Sequence, residues 1–289
     1  MKRILLLIWV ILLAHASLSA RPRIGVVLSG GGALGYAHIG ALQALEEQGI
    51  QADCIAGSSM GALVGVMYAA GMTPTEIHDL VLKERYNDRR RILGPVTRGI
   101  GGKRLGFASL KHVRKTLHQK LPETFDSLPR RYFVCVTDIT DSEEKIISHG
   151  SHLVDYVLAS SSIPGVFEAI EIEGHYYVDG GVLNNLPAQH IRKECDLLIG
   201  VDVHPDAQHI PVVESILDVA TLTLHTLMNS NSEEGGALCD HPIEPRANEQ
   251  YKAFDFDNFE EIYKIGYDAM KNYLAAHPEL AAIGSGRVE

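Results

Sequence analysis

The stretch IGVVLSGGGALGYAHIGAL, residues 24–42, places three consecutive glycines between an apolar run and a run with helical spacing. Residues 23–29 predict a short buried strand, and apolar residues between Leu34 and Leu45 recur at the spacing of a helix, which Gly49 ends. Glycine lets a ligand atom approach the backbone closely, and the amides at the start of a helix carry partial positive charge. The loop therefore suits an anion, which could be a bound phosphate or an oxyanion formed during a reaction.

The same order of strand, glycine turn and helix occurs a second time. Residues 52–56 predict a strand, and the pentapeptide GSSMG at 57–61 joins it to an apolar helix over 62–70. This alternation predicts an α/β fold whose parallel strands are joined by right-handed crossovers. Further strands are predicted at 132–139, 145–148, the hairpin 169–178 and, as the last of the sheet, 196–203. Further helices are predicted at 74–84, 109–120, 153–160, 212–228 and 259–274. We expect residues 73–128, with a glycine-rich loop at 94–106, to form a helical cap or lid over the sheet.

The pentapeptide at 57–61 fits the pattern G-x-S-x-G around Ser59. A nucleophilic serine on a tight turn between a strand and a helix needs small neighbours two residues away, here Gly57 and Gly61, and it gains from the positive end of the helix. The alternative is a tight turn whose serines only cap the helix. The strand before the turn and the helix after it favour the nucleophile.

Gly30, Gly32 and Gly35 also fit the G-x-G-x-x-G pattern of a dinucleotide site. Such a site needs an acidic residue at the end of the second strand, about twenty residues further on, but Asp53 stands at the beginning of that strand. A Walker-type phosphate loop is excluded as well, because no Gly-Lys-Ser/Thr follows. If Ser59 is a nucleophile, its attack on an ester forms an oxyanion that needs backbone N–H donors, which this loop can supply. The candidate donors are the backbone amides of Gly30, Gly31, Gly32 and Met60.

A serine nucleophile also needs a base, and the sequence offers two kinds. The carboxylate of Asp179 ends an apolar strand and enters the glycine turn DGG, although aspartate at such a position is often only a turn cap. The alternative is a histidine that follows in the chain order Ser, Asp, His. The histidines that could complete this order are His204, His225 and His241.

Three ordered stretches resemble the signature blocks of the patatin-like phospholipase family. They are GGGALG at 30–35, GSSMG at 57–61 and DGG at 179–181, and the resemblance extends over ASSSIPGVF at 159–167 and NNLP at 184–187. The resemblance implies a three-layer α/β/α sandwich with a mainly parallel central sheet, and a catalytic dyad of Ser59 and Asp179 without a histidine. The implied reaction is hydrolysis of acyl esters of phospholipids or other lipids, of phospholipase A or lysophospholipase type, with no metal and no cofactor.

The same resemblance assigns supporting residues and shows one departure. The family usually carries Arg or Lys before the last glycine of its first block, where this chain has Leu34. Because a free carboxylate with a pKa of about 4 is a weak base, we expect a partly dry site that raises the pKa of Asp179. The glycines that shape the motif turns are Gly35, Gly57, Gly61, Gly180 and Gly181.

Charge is distributed unevenly along the chain. The net charge is −10, yet residues 83–131 hold fourteen Lys/Arg against four Asp/Glu, a local net of +10, so that the other residues sum to −20. We expect this basic face to contact an anionic lipid surface, and the alternative is a solvated surface that balances the acidic body. A nucleic-acid surface is disfavoured, because the basic run lacks interleaved aromatic residues and the whole chain is acidic. The candidate lipid contacts are Arg89, Arg90, Arg91, Lys103 and Arg104.

The first residues predict export. Basic residues at positions 2 and 3 precede ten uncharged, mostly apolar residues and a small-residue cleavage signal at 14–16, which together indicate a signal peptide over residues 1–20. The alternative is a buried first strand or an uncleaved anchor. We expect a mature bacterial protein with one patatin-like domain over 21–289, in the periplasm, at an outer membrane or secreted. The four cysteines show no spacing of a metal site and are interpreted as buried apolar residues.

Two other functions remain open from the sequence. One is a histidine-assisted carboxylesterase or thioesterase that acts on small soluble esters. The other is a catalytically silent nucleotide- or lipid-binding module. The first differs from the dyad in its base, and the second would leave Ser59 unreactive.

Overall fold

The computed structural model describes residues 21–92, 108–203, 216–245 and 250–284. Eight strands form one sheet: β1 Ile24–Leu28, β2 Cys54–Gly57, β3 Arg131–Asp138, β4 Glu143–Ile147, β5 Ile170–Ile172, β6 His175–Asp179, β7 Leu197–Val201 and β8 His241–Ile243. Their order across the sheet is β5-β6-β3-β2-β1-β7-β8, and β4 also pairs with β3. The predicted signal peptide at 1–20 and the predicted loop at 94–106 lie outside the described residues.

Helices surround this sheet. They are α1 Tyr36–Glu47, α2 Met60–Ala69, α3 Pro74–Lys83, α4 Arg89–Ile92, α5 Lys111–Lys120, α6 Leu153–Ser160, α7 Ile216–Ala237, α8 Phe259–Ala276 and α9 Pro278–Gly284. Short 3₁₀ turns lie at Gly32–Gly35, Phe125–Ser127, Gly180–Val182, Ala188–His190 and Phe256–Asn258. Across the described part of the chain, no helix has both the length and the apolar character that are needed to span a bilayer.

The centre of the sheet is parallel and its β5 end is antiparallel. β3, β2, β1, β7 and β8 pair in parallel with their neighbours, whereas β4 and β6 run antiparallel to β3, and β5 antiparallel to β6. Every residue of β1 and β2 is buried, as expected of parallel strands covered on both faces. The predicted α/β class, with a mostly parallel central sheet and helices around it, is confirmed.

The two faces of the sheet are covered differently. Ile24, Val26 and Leu28 of β1 face a large apolar core shared with helices α1, α2, α6 and α8. Val27 faces the other way, into a smaller apolar cluster that includes Leu186 and residues of the 3₁₀ turn at 188–190. Because successive side chains of β1 point to opposite faces of the sheet, the large core lies on one face and the smaller cluster on the other.

The described part of the predicted cap extends the helix layer. α3 packs against α1 and α2, and α5 packs against α6. A capping box starts α3, because Thr73 accepts from the amide of Glu76 while the Glu76 carboxylate accepts from the amide of Thr73. These helices are therefore anchored on the layer beside the sheet.

Two short elements differ from the sequence prediction. The strand predicted at 196–203 is not the last of the sheet, because β8 follows and pairs in parallel with β7. β8 has three residues and contains Pro242, so it lacks the length and the alternation that indicate a strand, and its place at the sheet edge tolerates proline. The seven residues of α9 were also not predicted.

Helices α1 and α8 approach each other closely through glycines. A Cβ at Gly40 of α1 would lie 2.0 Å from the carbonyl oxygen of Tyr263. A Cβ at Gly266 of α8 would lie 1.9 Å from the carbonyl oxygen of Ala37. Real Cβ atoms cannot come so close to a carbonyl oxygen, so these positions set the distance between the two helices.

We expect Gly266→Ala to lower the free energy of unfolding by about 1–3 kcal/mol, because the two helix backbones must move apart. Gly236→Ala is the matched control, since this helical glycine in α7 has no atom within 4 Å of the added Cβ. The control should gain about 0.5–1 kcal/mol from the better helix propensity of alanine. Chemical denaturation measures both, and equal effects of the two variants would contradict the close approach of α1 and α8.

Candidate active site

Strands β2 and β6 reach the same edge of β3 from opposite directions. Val134 of β3 pairs with Gly57, the last residue of β2, and Val136 pairs with Asp179, the last residue of β6. β4 pairs with both valines and therefore occupies the other edge of β3. Because β2 is parallel and β6 antiparallel to β3, their carboxyl ends meet. Ser59, two residues beyond β2, thus lies beside Asp179, although the two are 120 residues apart in sequence.

Ser59 occupies a strained turn between β2 and α2. Its φ of 52° and ψ of −123° lie in a region that residues other than glycine rarely adopt, and α2 begins at the next residue, Met60. The flanking glycines are required by close packing. A Cβ at Gly57 would lie 2.5 Å from the carbonyl oxygen of Gly61, and a Cβ at Gly61 would lie 2.3 Å from that of Leu28. The turn therefore has the shape that the G-x-S-x-G pattern predicts.

The end of α6 fixes the backbone of Ser59. The Ser59 amide donates to the hydroxyl oxygen of Ser160 at 3.0 Å. The hydroxyl of Ser161 donates to the Ser59 carbonyl oxygen at 3.1 Å. Both serines belong to the stretch ASSSIPGVF, but no sequence pattern predicts these contacts, because they join segments about a hundred residues apart.

The side chains of Ser59 and Asp179 form a buried hydrogen-bonded pair. Ser59 Oγ donates to Asp179 Oδ2 at 2.6 Å, and Asp179 Oδ1 accepts from the amide of Gly181 at 2.9 Å. The Asp179 side chain is fully buried. Burial raises the pKa of Asp179 to about 7, although its hydrogen bonds to Ser59 and Gly181 partly oppose the rise. This direction agrees with the dry site expected from the sequence.

Met228 of α7 lies beside two glycines next to this pair. A Cβ at Gly181 would lie 2.4 Å from Met228 Cε and 3.1 Å from Asp179 Oδ1, and a Cβ at Gly30 would lie 3.0 Å from Met228 Cε. The methionine methyl group therefore fills the space beside both glycines. No pattern in the sequence pointed to this residue, because it lies on a helix far along the chain.

The glycine loop after β1 lies beside Ser59, and its amides differ in what they bind. The Gly30 amide donates to both the carbonyl oxygen and Oδ1 of Asn185, at 3.2 and 3.1 Å, so in this structure it is engaged and does not point at an oxyanion. Within the described residues, the amides of Gly31, Gly32 and Met60 make no hydrogen bond. Three of the four predicted donors are therefore available to a ligand.

Several motif residues are held by close contacts around this loop. Gly32 has a φ of 58°, and a Cβ there would lie 2.2 Å from the carbonyl oxygen of Ala253, so glycine is required. A Cβ at Gly35 would lie 2.4 Å from Met60 Cγ. Leu34 is buried in the large core. Leu34 therefore contributes apolar packing at the position where a basic residue would contribute positive charge.

Gly180 packs against the turn that carries Ser59. A Cβ there would lie 2.2 Å from the carbonyl oxygen of Cys135 and 3.1 Å from the hydroxyl oxygen of Ser58. Ser58 in turn donates to the carbonyl oxygen of Asn184 at 2.6 Å. The turns that carry Ser59 and Asp179 are therefore packed against each other without space for a side chain at this glycine.

None of the histidine side chains that the structure describes hydrogen-bonds to Ser59 or Asp179. His241 lies on β8, where its Nδ1 contacts the hydroxyl of Tyr273 at 3.1 Å. His204 lies outside the described residues, and so does the side chain of His225. The described contacts of Ser59 thus favour a carboxylate partner.

The predicted lipid contacts Arg89, Arg90 and Arg91 form α4, and all three are exposed. Lys103 and Arg104 lie outside the described residues. Part of the same basic stretch is used within the protein, in the ion pairs Arg85–Asp88, Arg114–Asp155 and Arg131–Glu194.

One group among the described residues has ligand atoms close enough together to hold a metal ion. Oxygen and nitrogen atoms of Asp138, Asp141 and His175 lie within 4.8 Å of one another. Asp138 Oδ1 accepts from the amides of Thr140 and Asp141, and Oδ2 contacts His175 Nδ1 at 2.9 Å. These bonds are what an aspartate at a turn makes in the absence of a metal, so we assign this cluster a structural role.

Comparisons with known proteins give one family match and several similar proteins. Residues 26–191, more than half of the chain, match the family described as "Patatin-like phospholipase". The lysophospholipase NTE1 of Saccharomyces cerevisiae is 30% identical over 87% of this chain and 16% of its own length. The neuropathy target esterase sws of Drosophila melanogaster is 27% identical over 90% of this chain and 20% of its own length. This chain therefore spans a fifth or less of each of these relatives.

A solved structure also aligns with this chain. The crystal structure of VipD from Legionella pneumophila has a TM-score of 0.48 and 18% sequence identity, and the alignment covers 89% of this chain and 67% of VipD.

The raised pKa of Asp179 predicts how stability depends on pH. Because the folded state holds this proton more tightly than the unfolded chain, stability is lost as the pH rises from about 4 towards 7 and the buried carboxyl ionises. Asp179→Asn keeps the shape without the charge. Relative to wild type, it should have little effect below pH 4 and should add up to about 4 kcal/mol to the free energy of unfolding above pH 7.

Urea unfolding at a series of pH values measures this difference. Asp268→Asn, which removes an exposed carboxylate on α8 that pairs with Lys264, is the matched control and should change the free energy of unfolding by no more than about 1 kcal/mol. A difference for Asp179→Asn that does not change between pH 4 and 8 would show that its carboxyl has an ordinary pKa.

Proposed function

Because the chain belongs to the patatin-like phospholipase family, we propose that it hydrolyses acyl esters of lipids with Ser59 as nucleophile and Asp179 as base. The observation that carries the proposal is the 2.6 Å hydrogen bond from Ser59 Oγ to Asp179 Oδ2, made in the protein interior by a serine in a strained turn. A hydroxyl held against a carboxylate in this way is prepared for proton transfer.

In the first step, an acyl group moves to the serine. Asp179 Oδ2 takes the Ser59 hydroxyl proton while Oγ bonds to the ester carbonyl carbon, and the carbonyl oxygen becomes an oxyanion. The free amides of the glycine loop and of Met60 stabilise this charge. When the oxyanion collapses, the bond to the leaving alcohol oxygen breaks, and that oxygen receives the proton from Asp179. The products are an alcohol and an acyl ester of Ser59.

In the second step, water releases the acid. Asp179 accepts a proton from water while the water oxygen bonds to the carbonyl carbon of the acyl ester. The second oxyanion collapses, Ser59 Oγ leaves with the proton from Asp179, and a fatty acid is released. The sum is hydrolysis of one ester bond by one water molecule.

The raised pKa of Asp179 supports its role as a base. A base transfers protons best when its pKa lies near the pH at which it works. Burial brings the pKa of Asp179 to about 7, where an exposed aspartate would be a much weaker base.

We propose phospholipids that carry one or two acyl chains as the substrates. The yeast relative is named a lysophospholipase, which supports an activity of lysophospholipase or phospholipase A type in this chain. The exposed arginines of α4 would hold the protein at an anionic lipid surface, because each cationic side chain near such a surface gains roughly 1 kcal/mol. Export, with residues 1–20 as a signal peptide, and a single domain over 21–289 stay predictions.

We expect Ser59→Ala and Asp179→Asn each to lower kcat for lipid hydrolysis by at least about 10³-fold, because one removes the nucleophile and the other the base. Fatty acid release from lysophosphatidylcholine and from diacyl phosphatidylcholine measures both. Ser230→Ala, an exposed serine of α7, and Asp268→Asn are the matched controls and should keep wild-type rates.

A fluorophosphonate probe separates this proposal from the alternatives. The probe should label wild type and fail to label Ser59→Ala. Substantial hydrolysis by Asp179→Asn, together with its loss in a histidine variant such as His241→Ala, would favour a histidine base. A wild-type protein that neither hydrolyses nor labels would favour a silent binding module.

The arginines of α4 give a separate prediction about membranes. Replacing Arg89, Arg90 and Arg91 together by glutamine should weaken binding to vesicles that contain anionic phosphatidylglycerol by about 10²-fold, from roughly 1 kcal/mol per charge. The matched control replaces three exposed lysines elsewhere by glutamine, namely Lys193, Lys264 and Lys271. Sedimentation with vesicles measures binding, and equal losses in the two triple variants would contradict a specific role of α4.

A further inference from the structure

Ser29 lies between β1 and the three glycines and makes two hydrogen bonds through its hydroxyl. Ser29 Oγ donates to the carbonyl oxygen of Gly30 at 2.9 Å. It accepts from the amide of Val203, just after β7, at 3.0 Å. The side chain is fully buried. A hydroxyl has one hydrogen to donate, and because Val203 supplies the hydrogen of the other bond, the Ser29 hydrogen is directed at Gly30.

This contact sets the direction of the next amide. The carbonyl of Gly30 and the N–H of Gly31 belong to one trans peptide group, in which they point in opposite directions. Because Ser29 holds the Gly30 carbonyl oxygen, the Gly31 N–H is turned to the other side. The Gly31 N–H makes no hydrogen bond to any residue that the structure describes. The adjoining Gly30 lies close to Ser59, since a Cβ at Gly30 would be 3.0 Å from Ser59 Cβ.

We propose that Ser29 is a positioning residue of the oxyanion hole, whose hydroxyl aims the Gly31 N–H at the carbonyl oxygen of a substrate bound over Ser59. This inference rests on the proposed function and adds a residue to its machinery. Glycines on both sides of a peptide group let it rotate easily, because neither carries a Cβ that restricts φ and ψ. A loop built from three glycines therefore needs an external contact to hold its amides in one direction.

The peptide group between Ser29 and Gly30 is held by hydrogen bonds as well. The freedom to rotate therefore concerns the next peptide group, between Gly30 and Gly31. His38 Nε2 lies 2.8 Å from the carbonyl oxygen of Ser29, and the Gly30 amide of the same group donates to Asn185. Burial lowers the pKa of His38 to about 4, so the ring is neutral at pH 7 and its Nε2 carries the hydrogen that this carbonyl accepts. The first peptide group is thus held at both ends, and Ser29 Oγ holds the carbonyl oxygen of the second.

If Ser29 positions the Gly31 N–H, its loss should weaken stabilisation of the transition state and leave the affinity for substrate unchanged. Loss of a whole oxyanion donor lowers kcat by about 10²–10³-fold, and loss of its direction should remove part of that. For Ser29→Ala we expect kcat to fall by about 10- to 100-fold, with KM within about twofold of wild type. The pH at half-maximal activity should stay the same, because Asp179 keeps its surroundings. Ser29→Thr, which keeps the hydroxyl, should recover most of the rate.

The experiment measures lysophosphatidylcholine hydrolysis and inhibition by a trifluoromethyl ketone, whose adduct with a serine carries an oxyanion. In Ser29→Ala, the affinity for the ketone should fall by the same factor as kcat. Ser162→Ala is the matched control, because it also removes a buried serine hydroxyl, one that donates at 2.8 Å to the Leu158 carbonyl oxygen and does not contact the glycine loop. This control should keep wild-type kcat and ketone affinity.

Several results would overturn the inference. The inference is wrong if Ser29→Ala has the same kcat as Ser162→Ala. It is also wrong if kcat falls without a fall in ketone affinity, or if Ser29→Thr is as defective as Ser29→Ala. If circular dichroism shows Ser29→Ala to be unfolded, Ser29→Cys, whose thiol is a weak donor, carries the same comparison. Inactive and unlabelled wild type would instead overturn the proposed function, and the role of Ser29 with it.

Discussion

The hydrogen bond between Ser59 and Asp179 depends on how three strands share one edge. β2 and β6 occupy successive parts of the same edge of β3 and run towards each other, so that the residues at their carboxyl ends meet. The close contacts of Gly57, Gly61 and Gly180 allow the two turns to pack without side chains between them. Ser59 is thus placed beside Asp179 by sheet register, and the long segment between the two strands can form other parts of the fold.

The same packing gives the site its chemistry. An exposed aspartate has a pKa of about 4, whereas Asp179 is fully buried and burial raises its pKa to about 7. Such burial has a cost in stability that grows as the pH rises from about 4 towards 7. The amides of the glycine loop differ, because that of Gly30 donates to Asn185, whereas those of Gly31 and Gly32 make no hydrogen bond within the described residues. Ser29 and His38 hold the carbonyl oxygens of Gly30 and Ser29 in the same loop.

How much the sequence predicts depends on how local each feature is. The strand, glycine turn and helix around Gly30 and around Ser59 are local patterns, and the sequence predicts them to within a few residues. The contact between Ser59 and Asp179 could be inferred only through a family resemblance, because it depends on the register of β3. The hydrogen bonds of the Gly30 amide to Asn185, the position of Met228 beside Gly30 and Gly181, and the short edge strand β8 arise from packing between distant segments, for which no local pattern exists.

The most direct test of this account is the titration of the Asp179 carboxyl by difference infrared spectroscopy between wild type and Asp179→Asn, with the rate of phosphonate labelling of Ser59 measured in the same samples. As the pH rises, we expect the infrared band of the protonated carboxyl to disappear and the labelling rate to increase. Both changes should share one midpoint near pH 7, because burial raises the pKa of Asp179 to about 7. A carboxyl that is already ionised at about pH 5, as an exposed aspartate would be, or a labelling rate with a different midpoint, would contradict it.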